Sequence, residues 1–147
     1  MAINDIIYLK TSSVNSGGFV NLNATDINGS WEVFTNAENT PRTVAGSTYT
    51  TSIGDGVNTG FNNPTYTVSC VVSYSLSHVS GSTAKLDREY VEEFVNHCDE
   101  KMTLRSDVFN TTSNTNGDVT VMLTSVTFRN SNANGVSYTL SFVEVSD

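Results

Sequence analysis

An alternating stretch at residues 65–77, TYTVSCVVSYSLS, most constrains what this chain can fold into. Apolar and small polar side chains alternate with the two-residue period of a β-strand, so one face is apolar and the other carries hydroxyl groups. The apolar face comprises Tyr66, Val68, Cys70, Val72, Tyr74 and Leu76. A strand face in open water usually carries lysine and glutamate, whereas uncharged small polar residues suit a face that another subunit covers. The stretch predicts a sheet with an interface on its polar side.

The last strand-like segment consists of two alternating runs joined by a turn. The runs are residues 119–129 and 136–145, and RNSNANG lies between them. Asn134-Gly135 in this turn suits the positive φ angles of a hairpin. The alternation changes phase near Ser125, which indicates a β-bulge or a change of face. These features predict a long antiparallel hairpin.

A single helix is predicted at about residues 85–101, KLDREYVEEFVNHCDEK. Apolar residues recur there at every fourth position, which is the spacing of a helix face packed against a sheet. The members of this stripe are Leu86, Tyr90, Phe94, Cys98 and Met102. The side chains of Ser82, Thr83 and Asp87 can each cap the helix start, and the sequence does not choose between them.

The remaining segments complete a mainly β chain. Short strands are predicted at residues 5–10, 18–24, 30–35 and 102–109. Residues 36–64 form a long glycine-containing loop or extended hairpin, with room for a short strand at 47–53, and loops of this length are often functional. This order predicts one domain over residues 1–147, an antiparallel β-sandwich or small barrel flanked by one α-helix.

The composition fits a folded β domain of 147 residues, which is long enough to bury a core. Charged residues make up only 15% of the chain, and the aromatic share of 10% argues against disorder. The formal net charge of -8, without a basic cluster, argues against an electrostatic grip on nucleic acid. The N-terminal MAINDIIYLK does not have the pattern of a signal peptide, and no stretch reaches the roughly 18 apolar residues of a membrane span.

The sequence offers little catalytic chemistry. Its two histidines, His78 and His97, lack a motif such as G-x-S-x-G that would place a nucleophile beside a base. The loop GDGVNTGFNN at 54–63 lacks the spacing of a calcium loop or of a phosphate-binding turn. We therefore expect no enzyme activity, no catalytic residue and no cofactor.

Four residues have the chemistry of metal ligands: Cys70, His78, His97 and Cys98. His97 and Cys98 are neighbours on the predicted helix, about 100° apart, and cannot easily turn toward one ion. We therefore expect no metal site and interpret Cys70 and Cys98 as small core residues, with His97 at the rim. A disulfide and a metal site stay open as alternatives. Trp31 is interpreted as a core residue, the alternative being an anchor for a sugar or a partner.

The order of these segments resembles the tail-tube and baseplate proteins of tailed viruses and related contractile injection systems. The likeness is carried by YTVSCVVSYSLS, LDREYVEEFVNHCDEKMTLRSD and VTVMLTSVTFRNSNANGVSYTLSFVEV, while the N-terminal half matches in outline. The resemblance implies six copies in a ring whose inward-facing strands form a continuous β-barrel lumen, with rings stacked into a tube. The serine and threonine side chains of the hairpin would then face another sheet or the aqueous lumen.

The resemblance also implies the partners. The loop at 36–64 would reach a neighbouring ring or subunit, and its expected interface residues are Tyr49, Ile53, Val57, Phe61 and Asn62. The expected partners are copies of the chain, other tail proteins, and passing DNA held without sequence-specific contacts, but no membrane. An acidic wall agrees with this role because it repels DNA. The expected location is the virion tail, after synthesis in the host cytoplasm.

Three alternatives remain open at the level of the sequence. The first is another tail component, such as a distal tail, terminator or baseplate protein. The second is a monomeric β-sandwich that binds a carbohydrate or protein through Trp31 and the loop at 36–64. The third is a small hydrolase built around His78 or His97. The oligomeric state separates assembly from a monomeric binding module.

Overall fold

The computed structural model describes residues 6–35, 58–132 and 135–146. Its strands and single α-helix within these ranges confirm the mainly β, antiparallel fold class. The strands are β1 (Tyr8–Lys10), β2 (Val20–Asn21), β3 (Ala24–Ser30), β4 (Val33–Thr35), β5 (Asn58–Phe61), β6 (Thr65–Ser73), β7 (Met102–Arg105), β8 (Asp118–Asn132) and β9 (Gly135–Glu144). The helix α1 spans Arg88–Asn96, and short 3₁₀ turns occupy Asn15–Gly17 and Asp107–Phe109.

The chain divides into two compact units. The larger comprises Met1–Gly29 with Thr65–Asp147, and the smaller comprises Ser30–Pro64. The strands β4 and β5 lie in the smaller unit. That the whole chain forms one β-sandwich domain stays a prediction.

The larger unit is organised around a seven-stranded sheet in the order β2-β1-β7-β8-β9-β6-β3. Its centre is the long C-terminal hairpin: β9 pairs antiparallel with β8 on one side and with β6 on the other. The β6–β9 ladder is unbroken from Thr65↔Val143 to Ser73↔Gly135. The predicted hairpin is confirmed, and the long strand predicted at 65–77 is confirmed over Thr65–Ser73. The strand ends four residues before the predicted bound, and Tyr74, predicted on the apolar face, is exposed.

A β-bulge in β8 explains the change of phase near Ser125. Leu123 pairs with Phe142 and Ser125 pairs with Ser141, so Thr124 is the extra residue. One extra residue shifts the alternation by one position, so even-numbered residues after the bulge take the core face that odd-numbered residues occupy before it. Val126 therefore packs against the same core as Leu123.

The core lies between one face of the sheet and α1. The alternating residues of β6 and β9 are buried there, as are Tyr90, Val91 and Phe94 of the helix. Asp87 caps the helix, because its side chain accepts a hydrogen bond of 2.8 Å from the backbone N–H of Tyr90. The structure thus selects Asp87 from the three candidate caps. In the core, burial of one large apolar side chain such as Phe94 contributes about 2 kcal/mol to stability.

The helix is shorter than the predicted range of 85–101, and this corrects one interpretation. Because α1 ends at Asn96, the four-residue spacing no longer describes positions after it. Cys98 is exposed rather than in the core, whereas Cys70 is buried, and both are free thiols. The other four members of the predicted stripe are buried. Tyr90 and Phe94 lie in α1, whereas Leu86 precedes the helix and Met102 follows it.

The smaller unit contains an antiparallel pair of strands. Val33 of β4 pairs with Phe61 of β5, and the backbone N–H of Asn62 donates to the carbonyl oxygen of Glu32 at 2.9 Å. The predicted short strand at 47–53 lies outside the described residues. Across the parts of the chain that the structure describes, no helix has the length and apolar character needed to cross a membrane.

Candidate functional site

The adjacent strands β6, β9 and β8 carry hydroxyl side chains on the sheet face opposite the core. The strand register aligns two cross-strand rows: Thr67, Ser141 and Ser125, then Ser69, Thr139 and Thr127. Paired residues of antiparallel strands direct their side chains to the same face, so the two rows form one patch. We name these six residues the hydroxyl face.

The hydroxyl face is uncharged and accessible. Ser125 and Thr127 are exposed, and the other four members are half-buried. The row on one side is Val71, Ser137 and Arg129, and the row on the other is Thr65, Val143 and Met122. Arg129 is thus the charged side chain of these four rows, and it lies at one end. A surface of this kind can approach another sheet without desolvating an ion.

The dimensions of this surface limit what it can do alone. The two rows of the hydroxyl face occupy about 14 Å along the strands, and three strands span about 14 Å, which gives about 200 Å². A stable interface uses about 800 Å² on each partner. A subunit contact centred on the hydroxyl face therefore requires a second contact region.

Cationic and aromatic side chains border the same sheet at β1 and β7. The Lys10 ammonium lies 4.7 Å from the ring centroid of Phe19, and the Arg105 guanidinium lies 4.3 Å from it. Arg105 also donates two hydrogen bonds to the Asp118 carboxylate, at 2.6 and 2.9 Å, which raises the pKa of Arg105. Because both cations are engaged within the protein, this border is a structural cluster rather than an open basic patch.

The residues predicted for a subunit interface are only partly described. Tyr49, Ile53 and Val57 lie outside the described residues. Phe61 ends β5, where its backbone pairs with Val33. Asn62 is exposed, and its side-chain amide donates a hydrogen bond to the Glu32 carboxylate. The role of these five residues in an interface stays a prediction.

The four residues with metal-ligand chemistry do not converge. Burial raises the pKa of the Cys70 thiol to about 12, so this thiol stays protonated in the core. His97 lies at the C-terminal end of α1, 3.3 Å from the Glu100 carboxylate. His78 lies after β6, against Asp87 and Glu89. Neither histidine shares a ligand cluster with a cysteine among the described residues.

Two aromatic residues, Trp31 and Phe128, are exposed. Trp31 is 66% exposed, so its assignment to the core is wrong. Among the described residues of this unit, its neighbours β4 and β5 form a two-stranded sheet. Phe128 is 61% exposed and lies beside α1, with the Arg88 guanidinium 5.6 Å from its ring centroid. The bulge puts Phe128 on the helix side of the sheet, which the phase change near Ser125 alone could not show.

Comparison with known proteins finds similarity among solved structures. No protein-family model matches the sequence, and no curated protein matches it. Among solved structures, the chain is similar to one described as the tail of an empty GTA particle with C6 symmetry. The likeness covers 97% of this chain and 91% of that chain, with 15% sequence identity and a TM-score of 0.46. A likeness of this size carries no function over to the present chain.

Proposed function

We propose that this protein is a structural subunit that assembles with copies of itself, as a component of a viral tail tube. The observation that carries the proposal is the hydroxyl face, an accessible and uncharged sheet surface on the adjacent strands β6, β9 and β8. The outer face of an antiparallel sheet in a monomer is usually polar, with lysine and glutamate among its side chains. A face of small uncharged hydroxyl side chains can instead contact another sheet without burying an ion.

Closed symmetry gives such contacts a limit. If each subunit used the hydroxyl face and a second region on a neighbour, a ring would close and growth would stop within it. Stacked six-membered rings would then make a tube, with DNA passing through a lumen of mainly uncharged or acidic character. The net charge of -8 supports passage rather than binding, because a negative wall repels a polyanion. In this role the protein has no enzymatic activity and no need of a cofactor.

The proposal is tested by the size of the assembly. Purified protein should form rings or tubes in negative-stain electron microscopy and sediment well above the 15.9 kDa of one chain. Thr127→Glu, at the exposed β8 end of one row of the hydroxyl face, should shift the sample toward monomers because it buries a charge at each contact. The control is Thr112→Glu, on an exposed loop away from the sheet.

Two results would contradict this proposal. One is a wild-type protein that stays monomeric at all concentrations and in the presence of tail proteins from the same virion. The other is a Thr127→Glu variant that assembles as well as the Thr112→Glu control while both retain the wild-type circular dichroism spectrum.

The exposure of Trp31 favours a second candidate, a binding module. A tryptophan with two thirds of its surface in water can stack on a sugar ring or anchor a protein ligand. Since the chain has one tryptophan, its fluorescence reports on this residue alone. Under this candidate, a glycan or peptide screen should yield a ligand that changes the fluorescence, and Trp31→Ala should abolish binding in a monomeric sample.

A further inference from the structure

A histidine and two glutamates meet where the segment after β6 reaches the start of α1. One ligand atom from each of His78, Glu89 and Glu93 lies within 4.8 Å of the others. Glu89 and Glu93 are four residues apart in α1, so both lie on one side of the helix. His78 approaches that side from outside the helix, so three potential ligands come from two separate segments.

The orientation of the His78 ring is fixed by groups behind it. Its Nδ1 atom lies 2.9 Å from Oδ2 of Asp87, while Oδ1 of Asp87 accepts the backbone N–H of Tyr90 at 2.8 Å. Asp87 is only 6% exposed and is held in place as the helix cap. The His78 ring also packs on the Tyr90 ring, with 4.4 Å between centroids. Asp87 and Tyr90 thus determine which nitrogen of His78 faces outward.

The outward nitrogen faces the two glutamates. When Nδ1–H donates to Asp87, the lone pair of Nε2 is free to bind a cation, and Nε2 lies 3.3 Å from Oε2 of Glu89. A carboxylate behind a histidine in this way is the usual support of a metal-binding imidazole in proteins. Two ligands of a tetrahedral zinc ion, each about 2.1 Å from the metal, are about 3.4 Å apart. The His78–Glu89 separation already matches that requirement.

We propose that His78, Glu89 and Glu93 bind a zinc ion, with Asp87 orienting His78 from behind. Imidazole with carboxylate ligands suits zinc, whereas magnesium and calcium prefer oxygen ligands alone. The two glutamates repel each other in the empty site, and a divalent cation neutralises both. Three protein ligands leave a fourth position for water or for a group of another molecule.

A bridge made by a protonated His78 is the competing explanation for the same contacts. An imidazolium placed between Asp87 and Glu89 would also satisfy both carboxylates. The two explanations differ in a simple way, because a site already filled by a proton-bearing bridge has no need of a metal. Zinc uptake at a pH where imidazole is neutral separates them.

The test is a titration of the metal-free protein, after chelator dialysis, with zinc chloride in an isothermal calorimeter. We expect one zinc per chain and a higher thermal midpoint, with no response to magnesium chloride. His78→Ala and Glu93→Gln should each remove this binding. Glu92→Gln should retain it, because Glu92 lies on the same helix but pairs with Arg88 at 3.1 Å. His97→Ala should also retain it, which excludes zinc held by the His97–Glu100 pair.

Asp87→Asn tests the positioning role separately. Asparagine also caps helices, so the helix start should remain intact. When the single amide oxygen caps Tyr90, the NH2 group faces Nδ1 of His78 and cannot accept from it. Zinc affinity should therefore fall about 10- to 100-fold, as for other groups that support a metal ligand. Cobalt bound in place of zinc should give a visible absorption band that the Glu93→Gln variant lacks. Absence of zinc uptake by the wild type, or uptake that survives both His78→Ala and Glu93→Gln, would overturn the proposal.

Discussion

At the residue scale, Gly117 shows how one position can be fixed by both conformation and space. It precedes β8 with a φ of 71°, a region that non-glycine residues rarely occupy. A Cβ atom added there would collide with the carbonyl oxygen of Ser106 and the side chain of Asn110. The backbone carbonyl of Gly117 accepts the N–H of Ser106 at 2.9 Å, so the turn cannot easily move away.

Gly117→Ala should therefore destabilise the protein by about 1–3 kcal/mol, the cost of strain at such a position. The measurement is urea unfolding followed by circular dichroism. Gly81→Ala is a matched comparison, because Gly81 also has a positive φ of 95° but has open space around an added Cβ. Equal losses in the two variants would mean that the close approach at Gly117 adds nothing.

Glu100 joins the N-terminal segment to the region after α1. Its carboxylate accepts hydrogen bonds from the hydroxyl groups of Ser13, Thr11 and Ser12. These bonds, with that from Ser13 the largest cause, lower the pKa of Glu100 from 4.5 to about 2. A lowered pKa stabilises the fold above the unfolded-state value, and this contribution is lost as the pH falls from about 4.5 through about 2.

Glu100→Gln should accordingly be less stable than the wild type at neutral pH, and the difference should shrink on acidification across that window. Unfolding free energies at several pH values measure it. Glu92→Gln, at an exposed helix site, is the control that accounts for general charge effects. If the difference in unfolding free energy between the wild type and Glu100→Gln stayed constant down to pH 2, the lowered pKa of Glu100 would be contradicted.

At the element scale, the bulge in β8 is a position where we expect the strand to tolerate the deletion of one residue. Removing Thr124 leaves Leu123 followed directly by Ser125, which restores simple alternation and keeps Val126 on the core face. The deletion loses a hydrogen bond of 3.1 Å from the Thr124 hydroxyl to the Ser141 carbonyl, so stability should fall by about 1 kcal/mol.

Deleting Thr120 should have a far larger effect. Thr120 lies in the regular part of β8 and pairs with Thr103, so its removal displaces the alternation without a bulge to absorb the change. Urea unfolding of both deletion variants tests this difference. A Thr124 deletion that fails to fold would mean that the bulge itself, rather than the alternation, is required for the structure.

Local sequence patterns predicted the type of each element better than they predicted which of its side chains are buried. The alternation in β6 and in the hairpin depends on a two-residue period that the strand itself imposes, so both elements were predicted correctly. The end of β6 at Ser73 was not predicted, because the alternation continues to Ser77. Cys98 was assigned wrongly because a helical period was continued past Asn96, where α1 ends. Trp31 was assigned wrongly because burial depends on the number of packed layers, which its own segment does not encode. His78, Glu89 and Glu93 come together through the path of the chain after β6, and no spacing in the sequence indicates it.

At the scale of the whole molecule, two surfaces of different chemistry are assigned to different tasks. The hydroxyl face carries the proposed assembly, and the His78 cluster at the start of α1 carries the proposed zinc site. They are separable by experiment, since Thr127→Glu should leave zinc uptake unchanged and Glu93→Gln should leave assembly unchanged. If Glu93→Gln removed both zinc uptake and assembly, the metal would be part of the subunit contact.

The position of β9 in the sheet also bears on when assembly can begin during synthesis. This strand lies between β8 and β6, yet it follows both in the chain. Until the ribosome has released it, β6 lacks its neighbour β9 and neither row of hydroxyl groups is complete. If the protein assembles through the hydroxyl face as proposed, nascent chains on one messenger RNA cannot associate through this face, and a chain joins an assembly only after β9 is complete.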